Sequence, residues 1–261
     1  MEHWSDQGIV LSARAHGEGG AIVSLLTENH GRHAGYLHGG MSSKKRNMSE
    51  IGTYVKAQWN ARLSDNLGTY SFEIEQGLSP TILAHSLKLP ALQSACTLCH
   101  EALPEREGHG GLYHGLLALM ESMEDDYWGV SYVMWEIQLL RELGFHMELN
   151  KCAGQGDANN LTHVSPKTGR AVSAEQAVPY KDKLLDLPNF LRPENVRSGG
   201  VGDEVDILKG LEMTAYFLTH WAFIHHTQGV PQVRTLFQER YESVVKKLSL
   251  SCETEEEPLK P

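Results

Sequence analysis

The sequence predicts an α+β protein in which a small β-barrel precedes a mostly helical body. Two observations carry this reading. Apolar residues alternate with period 2 in segments of the first 75 or so positions, and after Ser79-Pro80 they recur at helical spacing instead. Turn-forming clusters, Gly17-Glu-Gly-Gly20 and Asn29-His-Gly31, separate the early segments.

The first three strands are expected at Gly8 to Ala15, Ala21 to Glu28 and Arg32 to His38. The fourth is the clearest. Val55, Ala57, Trp59, Ala61 and Leu63 share one face, and Lys56, Gln58, Asn60 and Arg62 the other. In the fifth, Tyr70, Phe72 and Ile74 oppose Ser71, Glu73 and Glu75, with Ser64 to Gly68 as the connection. Five short strands in about 75 residues read as a five-stranded OB-fold barrel, the oligonucleotide/oligosaccharide-binding type, over residues 1–79. A helical domain follows over 80–250. Leu92, Ala95, Cys96, Cys99 and Leu103 form one stripe between Pro90 and Pro104. Leu112, Leu116, Leu119, Met120 and Met123 form a second, and Tyr132, Trp135, Leu139, Leu140 and Leu143 a third, stopped by Gly144. A longer helix is expected from an Asp203 N-cap to about His226, and a last one over Gln232 to Leu248. The insert 150–200, rich in Gly, Asn, Ser and Pro, reads as irregular with at most a short hairpin. The acidic tail, 251–261, reads as disordered.

Among the 261 residues no run approaches the roughly 18–20 apolar residues of a membrane span, and the start lacks the basic and apolar regions of a signal peptide. A cytoplasmic protein is expected. Four cysteines at these spacings form no disulfide framework. The net charge of -10 weighs against nucleic acid, but through Pro80 seven Lys+Arg face eight Asp+Glu, so the acidity belongs to the rest of the chain.

Recognisable catalytic chemistry is absent. Cys96-Thr-Leu-Cys99 lacks a second ligand pair for tetrahedral zinc, and both thiols lie on an apolar stripe. His220, His225 and His226 miss the i, i+4 spacing of a helical metal site. Gly17 to Gly20 lacks the third glycine of a dinucleotide fingerprint, and Gly39 to Lys44 is no P-loop. No G-x-S-x-G elbow or local carboxylate pair marks a catalytic group. Neither an enzyme nor a metal or other cofactor is expected.

What is present is a basic loop, Gly39-Gly-Met-Ser-Ser-Lys-Lys-Arg46, between the third and fourth strands. Its small residues let backbone approach a phosphate chain, and its cations replace condensed counterions. Lys44, Lys45 and Arg46 are therefore candidate nucleic-acid contacts, extended by Arg14, Arg32, Lys56 and Arg62 on or beside the strands. Tyr36 and Tyr54 are candidate stacking rings; Trp59 has core parity.

At these residues the chain resembles the bacterial RecO recombination-mediator proteins. The match begins at Trp4 and Gly8-Ile-Val-Leu11. It continues through Arg14, His16, Glu18, Leu26-Thr-Glu28, Gly31-Arg32, Gly39-Gly40 and Ser43-Lys-Lys-Arg46. It resumes at Trp135-Glu136, Leu139-Leu140, Leu143-Gly144-Phe145, Cys152-Ala153 and Ser165-Pro-Lys-Thr-Gly169, and ends at Gly229-x-Pro231-x-x-Arg234-x-Leu236-Phe237. The resemblance implies an OB domain, a helical domain and, in many members, a zinc ribbon. It implies binding of single- and double-stranded DNA, strand annealing, and action with the RecR clamp, single-strand-binding protein and, indirectly, the RecA recombinase. A bacterial, nucleoid-associated location goes with that role.

Two departures matter. Cys152 matches the first ribbon cysteine, while Gln155, Ser173 and Gln176 stand at the other three positions, so no metal is expected over Lys151 to Gln176. Val133 and Met134 stand where some relatives carry arginines, leaving Arg141 as the nearest cation for an acidic partner. The competing reading is a protein–protein adaptor with little DNA affinity of its own; a nuclease has no carboxylate or metal cluster to support it.

Overall fold

A computed structural model of the protein describes residues 2–42, 46–63, 65–197 and 202–255. The chain divides into two units, Met1–Asp125 and Asp126–Pro261.

In the first unit, five strands close a barrel: β1 (Glu2–His16), β2 (Gly20–Thr27), β3 (Gly31–Leu37), β4 (Tyr54–Ala61) and β5 (Thr69–Gln76). Their order is β1-β2-β3-β5-β4, the expected OB barrel. All neighbours are antiparallel except β3 and β5. One strand, β1, serves two partners, pairing β4 through its first half and β2 through its second, with a register shift between Val10 and Ser12. That double duty explains why β1 starts at Glu2, six residues before the expected Gly8.

Alternation fills the barrel. Val10, Val23, Leu25, Val55, Ala57, Trp59, Tyr70 and Phe72 form its buried core, while Lys56, Gln58 and Asn60 point outward. Leu63 was expected on the core face, but β4 ends at Ala61 and Leu63 is exposed; Ile74, on the same expected face as Tyr70, is also exposed.

Three helices complete this unit: α1 (Pro80–Ala84), capped by Ser79, α2 (Lys88–Ala102) and α3 (Gly110–Ser122). The change from strand to helix falls at the expected residues 79 and 80. The unit nevertheless extends to Asp125, because α2 packs on β1 and β2, and α3 on β2. Cys96 and Cys99 are fully buried in α2, and burial pushes the Cys96 thiol up to about 12 and holds the Cys99 thiol well above its ordinary value, as befits structural thiols.

The second unit begins with α4 (Trp128–Glu142), which ends at Gly144 in the left-handed region, φ 89°. The insert expected to be irregular is more ordered than that. Strands β6 (Leu161–Val164) and β7 (Ala171–Ser173) form a hairpin, followed by a short helix α5 (Ala174–Ala177). A 3₁₀ turn (Val178–Lys183) then leads into β8 (Leu185–Asp186), which pairs with the other edge of β6. Strands of two to four residues are too short to show a period, which is why the sequence hid them. After α6 (Pro193–Arg197) comes α7 (Glu204–Phe217), started by Asp203, whose carboxylate accepts from the Asp206 N–H at 2.7 Å. The helix stops short of the expected His226 because a π turn, Leu218–Ala222, interrupts it.

The last helix, α8 (Gln232–Glu255), runs past the expected Leu248 into the acidic stretch; residues 256–261 lie outside the described residues. α7 packs against both α4 and α8, with Tyr132 and Phe237 edge to face at 4.8 Å. At the centre of this unit Arg234 donates to both carboxylate oxygens of Glu136, and both side chains are essentially fully buried. The Thr214 hydroxyl donates to the same carboxylate, and Arg234 also donates to the Leu211 carbonyl. Burial works against the charge of Arg234, yet Glu136 outweighs it and holds the guanidinium above its ordinary value.

Candidate nucleic-acid interface

Pairing across β1, β2 and β3 fixes which side chains share the outer face of the barrel. Arg14 lies opposite Ile22, and Ile22 opposite Tyr36, so a cation, an aliphatic side chain and an aromatic ring form one cross-strand row. The next row is Ser12, Ser24 and Ala34. The ring of Tyr36 lies over Gly20, where a Cβ would fall 2.0 Å from the phenolic oxygen, so only glycine leaves the ring its seat. It also meets His38 edge to face at 4.7 Å.

Beside these rows is a cleft of about 550 Å³, with Arg14, Ile22 and Ser24 on the sheet, His100 at the end of α2, Leu67 in the β4–β5 loop, and Arg106 among the residues lining it. Two devices build its walls. The Trp59 indole donates from the barrel core to the Leu67 carbonyl at 2.9 Å, drawing the β4–β5 loop inward. On the other side Arg32 donates through Nε to the Leu103 carbonyl at 2.7 Å, and its own carbonyl accepts from the Arg106 N–H at 2.8 Å. This clamps the loop after α2 to the edge of β3. Gly31 is required there, since a Cβ would fall 1.8 Å from the Glu107 carbonyl oxygen. Arg106 itself holds φ 64°, a strained conformation for a side-chain-bearing residue.

Electrostatics separates the three arginines of the cleft. Arg32 is 15% exposed and pairs with Glu105 at 3.2 Å, so much of its donor capacity is spent on the fold. Arg106 reaches Asp65 at 3.5 Å, but that carboxylate is 97% exposed and the pair is weak in water. Arg14 is exposed on the same face. Burial, and then the adjacent Arg32 charge, hold His100 below its ordinary value, with its ring nitrogens 3.4 Å from the Ser12 hydroxyl.

The sequence-predicted contacts are thus only partly gathered. Arg14 and Tyr36 share a row, and Arg32 lies two residues from Ala34 on the same strand face. Arg46 is exposed at the start of a 3₁₀ turn, Arg46–Ser49. The base of its loop is tied to the β1–β2 turn by the Met41 N–H donating to the Gly19 carbonyl at 3.2 Å. Lys44 and Lys45 lie outside the described residues. Lys56 stands elsewhere, between Gln7 of β1 and Glu73 of β5, and Arg62 lines a separate cavity with Glu2 and His3. Tyr54 spends its hydroxyl on Gln7 at 2.7 Å and accepts from Tyr113 at 3.3 Å. His100, Arg106 and Leu67 were missed, because a helix end and two loop residues brought to the barrel by long-range contacts leave no local period that marks a cleft. The pairing of Gly31-Arg32 with a second Gly-flanked cation, Arg106-Glu-Gly108, is the one trace in the sequence.

In the second unit, Arg141 is exposed in the last turn of α4, while Val133 is buried and Met134 exposed. The ribbon position does not fit a metal. The Cys152 thiol accepts from the Ser173 N–H at 3.3 Å and lies 3.6 Å from the Ser173 hydroxyl. One thiol among neutral oxygens and amides is a poor donor set for zinc. Burial pushes this thiol up, but N–H groups of Ser173, Gly154 and Gly156 and the Ser173 hydroxyl outweigh it and hold it below its ordinary value. Among the described residues no three His, Cys, Asp or Glu side chains are grouped to hold a metal ion, and no helix is long and apolar enough to cross a membrane.

A closed barrel of this strand order, with a cation and a ring on its β1–β3 face, defines an OB-barrel protein joined to a helical unit. The chain belongs to the RecO family: residues 1–77 match the model for Recombination protein O N terminal, and 86–223 that for Recombination protein O C terminal. It is 46% identical over 240 residues to a DNA repair protein RecO of Rhodospirillum centenum, covering 91% of this chain and 94% of that one. The Rhodospirillum rubrum protein of the same name is 40% identical over 251 residues (92% and 96%). That of Caulobacter vibrioides is 40% identical over 239 residues (91% and 96%).

Proposed function

We propose that this protein is a non-catalytic mediator of DNA repair and recombination that holds DNA on the β1–β3 face of its barrel. The Arg14–Ile22–Tyr36 row beside an open cleft carries the reading. An exposed cation meets phosphate, a ring presents a face to a base, and neither demands a particular sequence. Relatives named as DNA repair proteins support it. Arg14, Tyr36, Lys44, Lys45, Arg46 and Arg106 are the proposed contacts; Arg32 acts mainly through the clamp, and Lys56 and Arg62 would extend the track around the barrel. The proposed ligands are single- and double-stranded DNA, and the protein anneals strands and helps RecA replace single-strand-binding protein. The second unit, with Arg141 among its contacts, serves the RecR clamp and single-strand-binding protein.

Fluorescence anisotropy with a single-stranded oligonucleotide at about 50 and 200 mM salt tests this, since phosphate-driven affinity falls steeply across that range. Binding that weakens on replacing Lys44, Lys45 and Arg46 by alanine is expected; no binding at the lower salt removes the DNA role. An adaptor reading draws on the commitment of Arg32 to Glu105 and the Leu103 carbonyl. Clamp binding without DNA affinity would select it.

A further inference from the structure

The insert of the second unit carries an open depression of about 460 Å³ that the barrel reading does not use. It is lined by Lys167, Lys183, Tyr180, Pro166 and Leu184 among others, and no carboxylate lines it. The sheet brings these groups together. Val164 of β6 pairs with Leu185 of β8 in antiparallel register, so the residues just after β6 and just before β8 face each other at one end of the sheet. Lys167 sits there in the tight Ser165–Gly169 turn, closed by the Gly169 N–H donating to the Ser165 carbonyl at 2.8 Å. Lys183 and Tyr180 sit on the 3₁₀ turn opposite. Tyr180 is 60% exposed, a large ring left facing water.

We propose that this depression is a second nucleic-acid contact, taking a phosphate between Lys167 and Lys183 and a base against the Tyr180 ring. The proposal rests on the reading of the protein as a DNA-handling one and adds a site in its other unit. The chemistry favours a nucleic-acid strand over an acidic peptide. Planar carboxylates are best met by the guanidinium fork, whereas lysine meets phosphate as a compact point charge. An outward aromatic face stacks on any base, and a depression of this size has room for one unstacked nucleotide. Two such contacts in two units would let one molecule hold two strands.

The test titrates the full chain with a labelled single strand of about 12 nucleotides, a length within the range one OB domain covers. Two strands per protein are expected. In Lys167→Glu/Lys183→Glu one strand is lost, the other keeps its affinity within about twofold, and annealing of complementary strands slows by about tenfold. Lys167→Gln/Lys183→Gln and Tyr180→Ala, each leaving the sheet untouched, should show the same loss in weaker form. Arg14→Ala/Tyr36→Ala should lose the other strand. Saturation of the unaltered protein at one strand overturns the second site alone, as does a lysine variant that still holds two. So does displacement from the depression by a glutamate-rich peptide but not by unlabelled oligonucleotide. Binding of no strand at all overturns the barrel reading with it.

Discussion

Arg234 and Arg14 are the same side chain in opposite settings. Arg234 lies at the centre of the helical unit, essentially without solvent exposure, and Glu136, Leu211 and Thr214 surround its guanidinium. Arg14 lies on the outer face of the barrel beside a cleft, next to Ile22 and the Tyr36 row. Arg32 and Arg106 fall between them, one holding a loop, the other paired with an exposed carboxylate. A count of charges treats all four alike. Their surroundings decide whether a cation holds the fold together or remains available to a ligand.

Removing one partner of the interior pair is the most damaging way to test the contrast. Glu136→Ala or Arg234→Ala should cost about 3–5 kcal/mol by urea denaturation, because the remaining charge is left buried and alone. Arg14→Ala should stay within about 0.5 kcal/mol of the unaltered protein. A small loss at Arg234 would mean the pair contributes little beyond what packing supplies.

The barrel has its own buried titratable group. Burial, then the charge of Arg106, hold the His33 imidazole down to about 4 from 6.5. The unfolded chain takes up this proton first, so stability from His33 is complete above pH 6.5 and is lost as pH falls toward 4. Up to about 3 kcal/mol is at stake, and His33→Phe should flatten urea midpoints across that window. A loss confined to lower pH would place its origin in the carboxylates.

On the outer face the effects move from stability to binding. Tyr36→Ala should cost about 1–3 kcal/mol of single-strand affinity with little change in unfolding. Gly20→Ala should reproduce that loss by pushing the ring from its seat; unchanged affinity would show that the ring does not stack. Smallest of all, Arg14→Ala should lower the slope of log affinity against log salt by about 0.7, one phosphate contact on a single strand.

Much of the barrel was legible because burial on one face of a strand writes period 2 into the sequence. Val55, Ala57 and Trp59 declared both β4 and its inner face, and Asp203 and Gly144 marked helix ends by their capping chemistry. The insert was not legible, since β6, β7 and β8 gain their order from one another and not from any internal period. Arg14 and Tyr36 could be nominated by type and position, but nothing local showed that Ile22 would stand between them. Nor could spacing show that Lys56 and Arg62 would fall on another part of the barrel, or that Arg234 would find Glu136.

By itself the sequence determined the strand and helix periods, the cysteines that pack as hydrophobes, the replacement of three of the four ribbon cysteines, and the family to which the chain belongs. These are properties of neighbours in the chain, or of residue types in order. Only the tertiary structure decided which arginines are buried, clamped or open, and which residues wall the cleft. Each depends on partners brought from distant segments, as Arg106 is brought to Arg32 and Arg234 to Glu136. The free energy of a charge is set by the solvent and counter-charges around it, and those exist only once the chain has folded.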